Sequence, residues 1–369
     1  MSGFWAGRRR VRAGVVGVVV GCALGLGGCA SAGTDAKAAV SAAAAPVVPM
    51  VIGKGQAEDV YNRWVAERKS SLDRRDGAGL ASVETGPLLA ESLAAIEVAK
   101  ARGVGARNSA FGRAEFFVPA ERDQQGYPRS FVALSRVAGT EGNAVREGAL
   151  HYFTQEAPGG DWKAAAVSWV NDRPPLVRAK NETSWGTTYF ELRKKEIAAV
   201  NRDAAGAAVL SPAAGADREV CGRYAEYMSF TAPEGEPESE HFLPGPLTGG
   251  MVGAYNVADE DLKLVTKRYA FEPTGGELPV LRLADGKSLV TCTFVRTDRW
   301  AGKKAAFRYG NGEHGDAAAL LGGTDKWWVD STVRLSVTAT FEVPAEGPAD
   351  VVGCNCLKPT VLSALGTPK

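Results

Sequence analysis

Apolar side chains recur at three- and four-residue steps through Ala57, Val60, Tyr61, Trp64, Val65 and Leu72, which predicts an amphipathic helix over residues 57–73. A second helix is predicted in VETGPLLAESLAAIEVAKARG (83–103). Pro87 suits its first turn, Leu89, Leu93 and Ile96 make its stripe, and Gly103 is its stop. The pattern then changes to short strand-like runs, FGRAEFFV (111–118), SFVALSRVA (130–138), REGALHYFT (146–154) and DWKAAAVSWV (161–170). Turn-rich links such as GTEGN and APGGD join them, as an antiparallel meander requires.

The second half repeats this order. DREVCGRYAEYMSF (217–230) places Val220, Tyr224, Tyr227 and Met228 on one side of a helix, and Gly245-Pro246-Leu247 repeats Gly86-Pro87-Leu88 159 residues later. Strand-like runs follow at LKLVTKRYAF, PVLRLA, SLVTCTFVRTDRW and STVRLSVTATFEV, with Asp285-Gly286 as a tight-hairpin signal. Residues 301–330, which contain YGNGEHGD (309–316), interrupt the second copy as an insertion. Near its end Trp327 and Trp328 are adjacent, and neighbouring strand residues point to opposite faces, so one of the two is expected to be exposed or covered by a partner.

The N-terminal residues carry a different message. Arg8, Arg9, Arg10 and Arg12 precede an apolar run from Ala13 to Leu26, and Leu26-Gly27-Gly28-Cys29 follows. This is the layout of a secretory leader, and the run is too short to span a bilayer comfortably. Its end resembles a lipobox. That resemblance implies cleavage after residue 28, an acylated Cys29 as the new N-terminus, and a location on the outer face of a bacterial cell membrane. Residues 29–54 read as a flexible tether, because Ala30 to Pro49 is Ala/Ser/Gly/Pro-rich with two charges.

Removal of residues 1–28 takes the formal charge from +1 to −3, since it removes four arginines and no acid. Such a body offers no electrostatic footprint for nucleic acid. Four cysteines remain besides Cys29: Cys221, Cys292, Cys354 and Cys356. An even count in an exported chain favours disulfides. One intervening residue makes a mutual Cys354–Cys356 bond an unfavourable choice, so each is expected to reach a different partner, Cys221 or Cys292.

Two helices followed by a long antiparallel sheet resemble the NTF2-like cone, a curved sheet wrapped around helices with a cavity at its open end. The chain also resembles a family of actinobacterial lipoproteins of unknown function. The residues that carry the likeness are SLD at 71–73, VETGPLL at 83–89, YPRSFVAL at 127–134, Gly245-Pro246-Leu247-Thr248, and RLADGKSLV at 282–290. The expected fold is α+β, two tandem NTF2-like domains, each with N-terminal helices packed on a curved antiparallel β-sheet. The first spans 55–175, a connector 176–213, and the second 214–365.

No metalloprotease, nucleophile-elbow or phosphate-loop pattern occurs; of the three histidines, His151 sits in a strand and reads as structural or solvent-facing, and His241 and His314 have no partner at ligand spacing. No catalytic set, cofactor or metal is therefore expected. Glu313, His314 and Asp316 lack the positions of a calcium loop and read as a mobile insertion. Asp73 and Glu84 flank the link between the first two helices. They read as turn and helix-start caps ahead of an acid–base pair.

Trp64, Trp162 and Trp169 with Tyr61 and Phe131 fill a core or line a pocket. If the first cone is open, its candidates are Tyr61, Trp64 and Phe131 as an aromatic floor, with Glu84 or His151 as polar anchor. The leading expectation is a non-enzymatic, membrane-anchored binder of a small ligand or an envelope protein. The alternatives are a hydrolase- or isomerase-type enzyme in the first cavity and a second half that serves only for docking.

Overall fold

The computed structural model describes residues 48–137, 147–171, 197–256, 263–303, 306–310, 314–356 and 358–369. The leader, Cys29, most of the tether and Glu313 lie outside them. Residues Val47–Lys369 cluster as one compact unit. No helix among the described residues is long and apolar enough to cross a membrane.

Helix α1 (Lys54–Arg74) buries Ala57, Tyr61, Trp64 and Leu72, the expected stripe, and ends where Arg75 turns left-handed. A short helix follows that periodicity does not reveal, α2 (Gly77–Val83). Asp76 caps it by accepting the Ala78 and Gly79 amides. The cap is thus Asp76 and not Asp73, which sits on the exposed side of α1 in an ion pair with Lys69 at 2.6 Å. Helix α3 (Gly86–Arg102) carries Pro87 in its first turn and stops at Gly103, whose φ of +65° suits a residue without a Cβ.

Strands β1 (Phe111–Phe117), β2 (Arg129–Val137), β3 (Glu147–Gln155) and β4 (Lys163–Asn171) form a meander in sequence order. Together α1 to α3 and this sheet make the first lobe. One core cluster joins Tyr61, Trp64 and Val83 of the helices to Phe116, Phe131 and Phe153 of the sheet.

The second lobe begins with α4 (Ala214–Asp217) and α5 (Glu219–Tyr227), then β5 (Phe230–Ala232) and α6 (Gly249–Asn256). Strands β6 (Val265–Pro273), β7 (Leu281–Arg282), β8 (Ser288–Gly302) and β9 (Trp328–Val343) follow, with helix α7 (Gly315–Leu320) between the last two. Strands β10 (Asp350–Cys354) and β11 (Thr360–Pro368) complete a seven-stranded antiparallel sheet in the order β10-β9-β8-β6-β5, with β11 on β9 and β7 on β8. This sheet curls into a half-barrel, and the molecule is α+β. Leu88 and Leu247, the leucines of the two Gly-Pro-Leu copies, are both buried. The first copy opens α3, whereas the second lies one turn ahead of α6.

The described residues of the insertion include a packed set. Phe307, Tyr309, Ala317 and Leu321 join Trp300, Trp328 and Val98 of α3 in one apolar cluster. Trp328 is 6 % exposed and Trp327 48 %, the split that strand alternation requires.

The two sheets share a further core, in which Val132, Leu150 and Tyr152 of the first lobe meet Leu281, Leu289 and Val352 of the second. A chain of buried hydroxyls crosses the same contact, from Tyr152 to Thr291, Thr340 and Ser168, each link 2.6 Å long. Gly353 of β10 lies so close to β4 that a Cβ there would run into the Trp169 carbonyl oxygen.

Cys221 on α5 is bonded to Cys292 on β8, with Cα atoms 5.7 Å apart. The expected second bridge is corrected. Cys354 pairs with Cys356, Cα atoms 5.1 Å apart, within the ordinary range for a disulfide. The register gives the reason. Cys354 and Cys292 both lie opposite Ala339, one on each side of β9. Two strand spacings, about 10 Å, separate them, which no disulfide spans.

Candidate functional site

Tyr61, Trp64 and Arg68 follow one another at helical steps along the inner side of α1, so the chain that buries the two rings also brings the guanidinium inward. Glu84, at the C-terminal end of α2, is fully buried and accepts the Trp64 indole N–H at 3.1 Å through Oε1. The same oxygen is ion-paired with Arg68 Nη1, which also donates to Ser92 on α3. Arg68 stands over the Trp64 ring, 5.8 Å from its centroid. The carboxylate therefore receives a side-chain indole and a guanidinium, and not the backbone amides expected of a cap.

The sheet closes the other side. His151 on β3 is fully buried, and its Nε2 shares a 2.7 Å hydrogen bond with the Ser135 hydroxyl of β2. Its ring lies 4.9 Å from that of Trp64, 5.4 Å from Tyr61 and 4.7 Å from Phe111. Burial, with the Arg68 charge nearby, pushes the His151 pKa down to about 3, so the imidazole is neutral across the physiological range. Burial raises the Tyr61 phenol, whose O–H donates to the Gly112 carbonyl at 2.8 Å. Phe131 stacks on Phe153 at 4.8 Å, and Phe153 meets Trp64 edge-on at 5.8 Å.

All five pocket candidates thus converge. Tyr61, Trp64, Glu84 and His151 form one shell, and Phe131 joins it through Phe153. They are buried against one another rather than arrayed around an open space. A shallow cleft of about 300 Å³ lies nearby, lined by polar groups that include Thr85, Thr154, Glu156, Asp161 and Lys163. Sequence reasoning passed over Arg68, Ser92 and Ser135. Arg68 had a signal, a cation four residues after Trp64 on the apolar face. The two serines had none, because their partners lie 24 and 16 residues away.

The second lobe holds a comparable group. Arg296 and Asp298 alternate with outward residues on β8 and are buried as a two-armed ion pair, with Nε to Oδ1 at 2.6 Å and Nη2 to Oδ2. Arg296 also donates to the Tyr255 hydroxyl of α6, and its guanidinium lies 4.9 Å and 5.3 Å from the Tyr255 and Tyr269 ring centroids. Glu91 ties the lobes together by accepting the Ser336 hydroxyl at 3.0 Å and the Thr360 hydroxyl at 3.3 Å. Burial raises the Glu91 pKa. Among the described residues no group of three or more His, Cys, Asp or Glu side chains is placed to hold a metal ion.

The model of one family, Domain of unknown function (DUF8094), matches residues 48–358, which takes in the first lobe, the second lobe up to β11 and both buried ion pairs. The chain belongs to the DUF8094 family. Neither a curated protein nor a solved structure matches it. The DUF8094 match ends at residue 358, just ahead of β11, the strand that pairs with β9 from Thr360 onward.

Proposed function

We propose that this DUF8094 protein is a non-enzymatic binding protein of the bacterial cell envelope, held on the outer face of the membrane by an acylated Cys29. Its two lobes are read as tandem NTF2-like halves of an actinobacterial lipoprotein, and its partner as an envelope protein or a small ligand. The order of helices before a curved antiparallel sheet in each lobe supports the NTF2-like reading. The basic leader, the apolar run and Leu26-Gly27-Gly28-Cys29 support the address, as do the paired cysteines, which suit an oxidising compartment.

One observation carries the choice of binder over enzyme. The most polar part of the first lobe's interior, Arg68–Glu84 with Ser135–His151, is packed against aromatic rings, and its imidazole is neutral. A general base working near neutral pH needs a pKa close to that pH and a path to its substrate, and His151 has neither.

Mass spectrometry of the N-terminus of the protein isolated from its native membrane tests the anchor. The expected result is a lipid-modified Cys29 as the first residue, with Cys29→Ala releasing the chain to the medium. An unmodified chain beginning elsewhere would overturn the anchor.

A further inference from the structure

The half-barrel's two faces differ at one end. On β9, Val333 and Leu335 point into the apolar cluster beneath α7, whereas Ser336 and Thr340 point the other way and meet the first lobe at Glu91 and Ser168. Farther along this second face the first lobe no longer covers the sheet, and Arg334 is exposed. Arg299 on β8 lies opposite Thr332, so Arg334 is its diagonal neighbour. Arg268 on β6 lies directly opposite Arg299. Both are exposed as well, and none of the three arginines forms an ion pair among the described residues.

Two like charges in direct cross-strand register are unfavourable, and no acid is interposed. Such an arrangement breaks a local rule of sheet stability, and positions of this kind are where function is expected. Asp330, exposed and two residues from Thr332 on the other side, is the second diagonal neighbour of Arg299, so three cations share this face with one carboxylate.

The row does not end in polar residues. Leu365 of β11 lies opposite Thr332, so the cross-strand line runs Leu365, Thr332, Arg299, Arg268, and Leu365 is 72 % exposed. The same end of β9 carries the exposed Trp327, with the Arg308 guanidinium 5.6 Å from its ring centroid. The three strands spread the arginines over about 10 Å, and all three side chains are exposed. Cations laid out on an open face, flanked by a tryptophan and a leucine, match a surface of anionic headgroups above an apolar layer. They do not match a pocketed anion.

We propose that the open end of the half-barrel, through Arg268, Arg299 and Arg334 with Leu365 and Trp327 as apolar insertions, rests on an anionic phospholipid surface. The inference deepens the proposed envelope role and takes from it only that a membrane is at hand.

The test uses the full exported chain carrying Cys29→Ala, which has no acyl group whether or not the native protein has one. It is sedimented with vesicles of phosphatidylcholine alone and of phosphatidylcholine mixed with phosphatidylglycerol. Binding is expected to the mixed vesicles only, to weaken as salt rises, and to shift Trp327 emission to the blue in a way that Trp327→Ala removes. Joint replacement Arg268→Gln, Arg299→Gln and Arg334→Gln should lower partitioning about a hundredfold, at about fivefold per arginine near an anionic surface. The melting temperature should be kept or raised, because the like-charge pair is gone. Absence of binding to the mixed vesicles, equal binding to both kinds, or undiminished binding by the triple variant would each overturn the proposal. Loss of capture of an acidic protein in the triple variant, with no vesicle binding by the parent chain, would assign the face to a protein partner instead and overturn it too. Acylation of Cys29 is decided separately by the N-terminal mass, so neither result stands in for the other.

Discussion

The two lobes each bury an arginine–carboxylate pair, but they satisfy it differently. In the second lobe, Arg296 and Asp298 meet through two parallel bonds, and Tyr255 accepts the remaining arm. In the first, only Oε1 of Glu84 is used, by Trp64 and Arg68 together, while Glu84 Oε2, Arg68 Nε and His151 Nδ1 have no hydrogen-bond partner among the described residues. Both pairs are nearly buried, with 13 % and 0 % of the side-chain surface left on Arg68 and Glu84 and 9 % and 8 % on Arg296 and Asp298. A fork fixes both partners in a plane; a shared single oxygen leaves rotational slack. The second pair is therefore a rigid pin between β8 and α6, and the first is a looser clasp between α1, α2 and α3.

The largest contrast should appear when each carboxylate is replaced by its amide. Asp298→Asn turns an NH₂ toward one arm of Arg296 and leaves a buried cation uncompensated, at a cost of about 3–5 kcal/mol. Glu84→Gln can keep its oxygen on Trp64 and Arg68 and place the NH₂ where Oε2 has no partner. It should cost about 1–2 kcal/mol, the difference between a charged and a neutral hydrogen bond. Urea denaturation of both variants measures this, and equal losses would erase the distinction between pin and clasp.

The disulfides extend the contrast, because within the described residues they belong to the second lobe alone. Cys221–Cys292 closes a separation of 71 residues and Cys354–Cys356 one of 2. Chain entropy assigns about 4 kcal/mol to the longer loop and about 1.5 kcal/mol to the shorter. Paired alanine substitutions, compared by thermal unfolding, should reproduce that order; the reverse order would show that the short bridge acts through the native state.

A pH-dependent effect is confined to the first lobe. His151, enclosed by Tyr61, Trp64 and Phe111 with Arg68 close by, has its pKa lowered from 6.5 to about 3. The unfolded chain therefore takes up the proton first. Stability falls as pH drops below about 6.5, by about 1.4 kcal/mol per unit, until the folded pKa near 3 is reached. His151→Gln should remove this share of the slope between pH 6.5 and 5. A variant that loses stability over that interval as steeply as the parent would show that other groups govern it.

Much of the architecture could be read from periodicity. The stripe of α1, Pro87 and Gly103 bounding α3, the four alternating runs of β1 to β4 and the long runs of β8 and β9 are local patterns, set by which side chains one face of a helix or strand must bury. So is the opposition of Trp327 and Trp328. Tyr61, Trp64, Glu84, Phe131 and His151 were legible as neighbours because they fall on the inner sides of elements expected to face each other. The short α2 was not legible, since seven residues capped by Asp76 carry too little periodicity to separate from a loop.

Other features depend on register between distant segments, which no window of sequence contains. Cys354 pairs with its near neighbour because Ala339 holds it a full strand away from Cys292. The arginine row exists because β6, β8 and β9 bring residues 268, 299 and 334 level on one face. Glu84 serves Trp64 and Arg68 because α2 turns the chain back onto α1. Local burial preferences act over three or four residues and are written in the order of side chains. Partner choice is settled by the packing of whole sheets, where a shift of one residue would exchange the buried face for the exposed one.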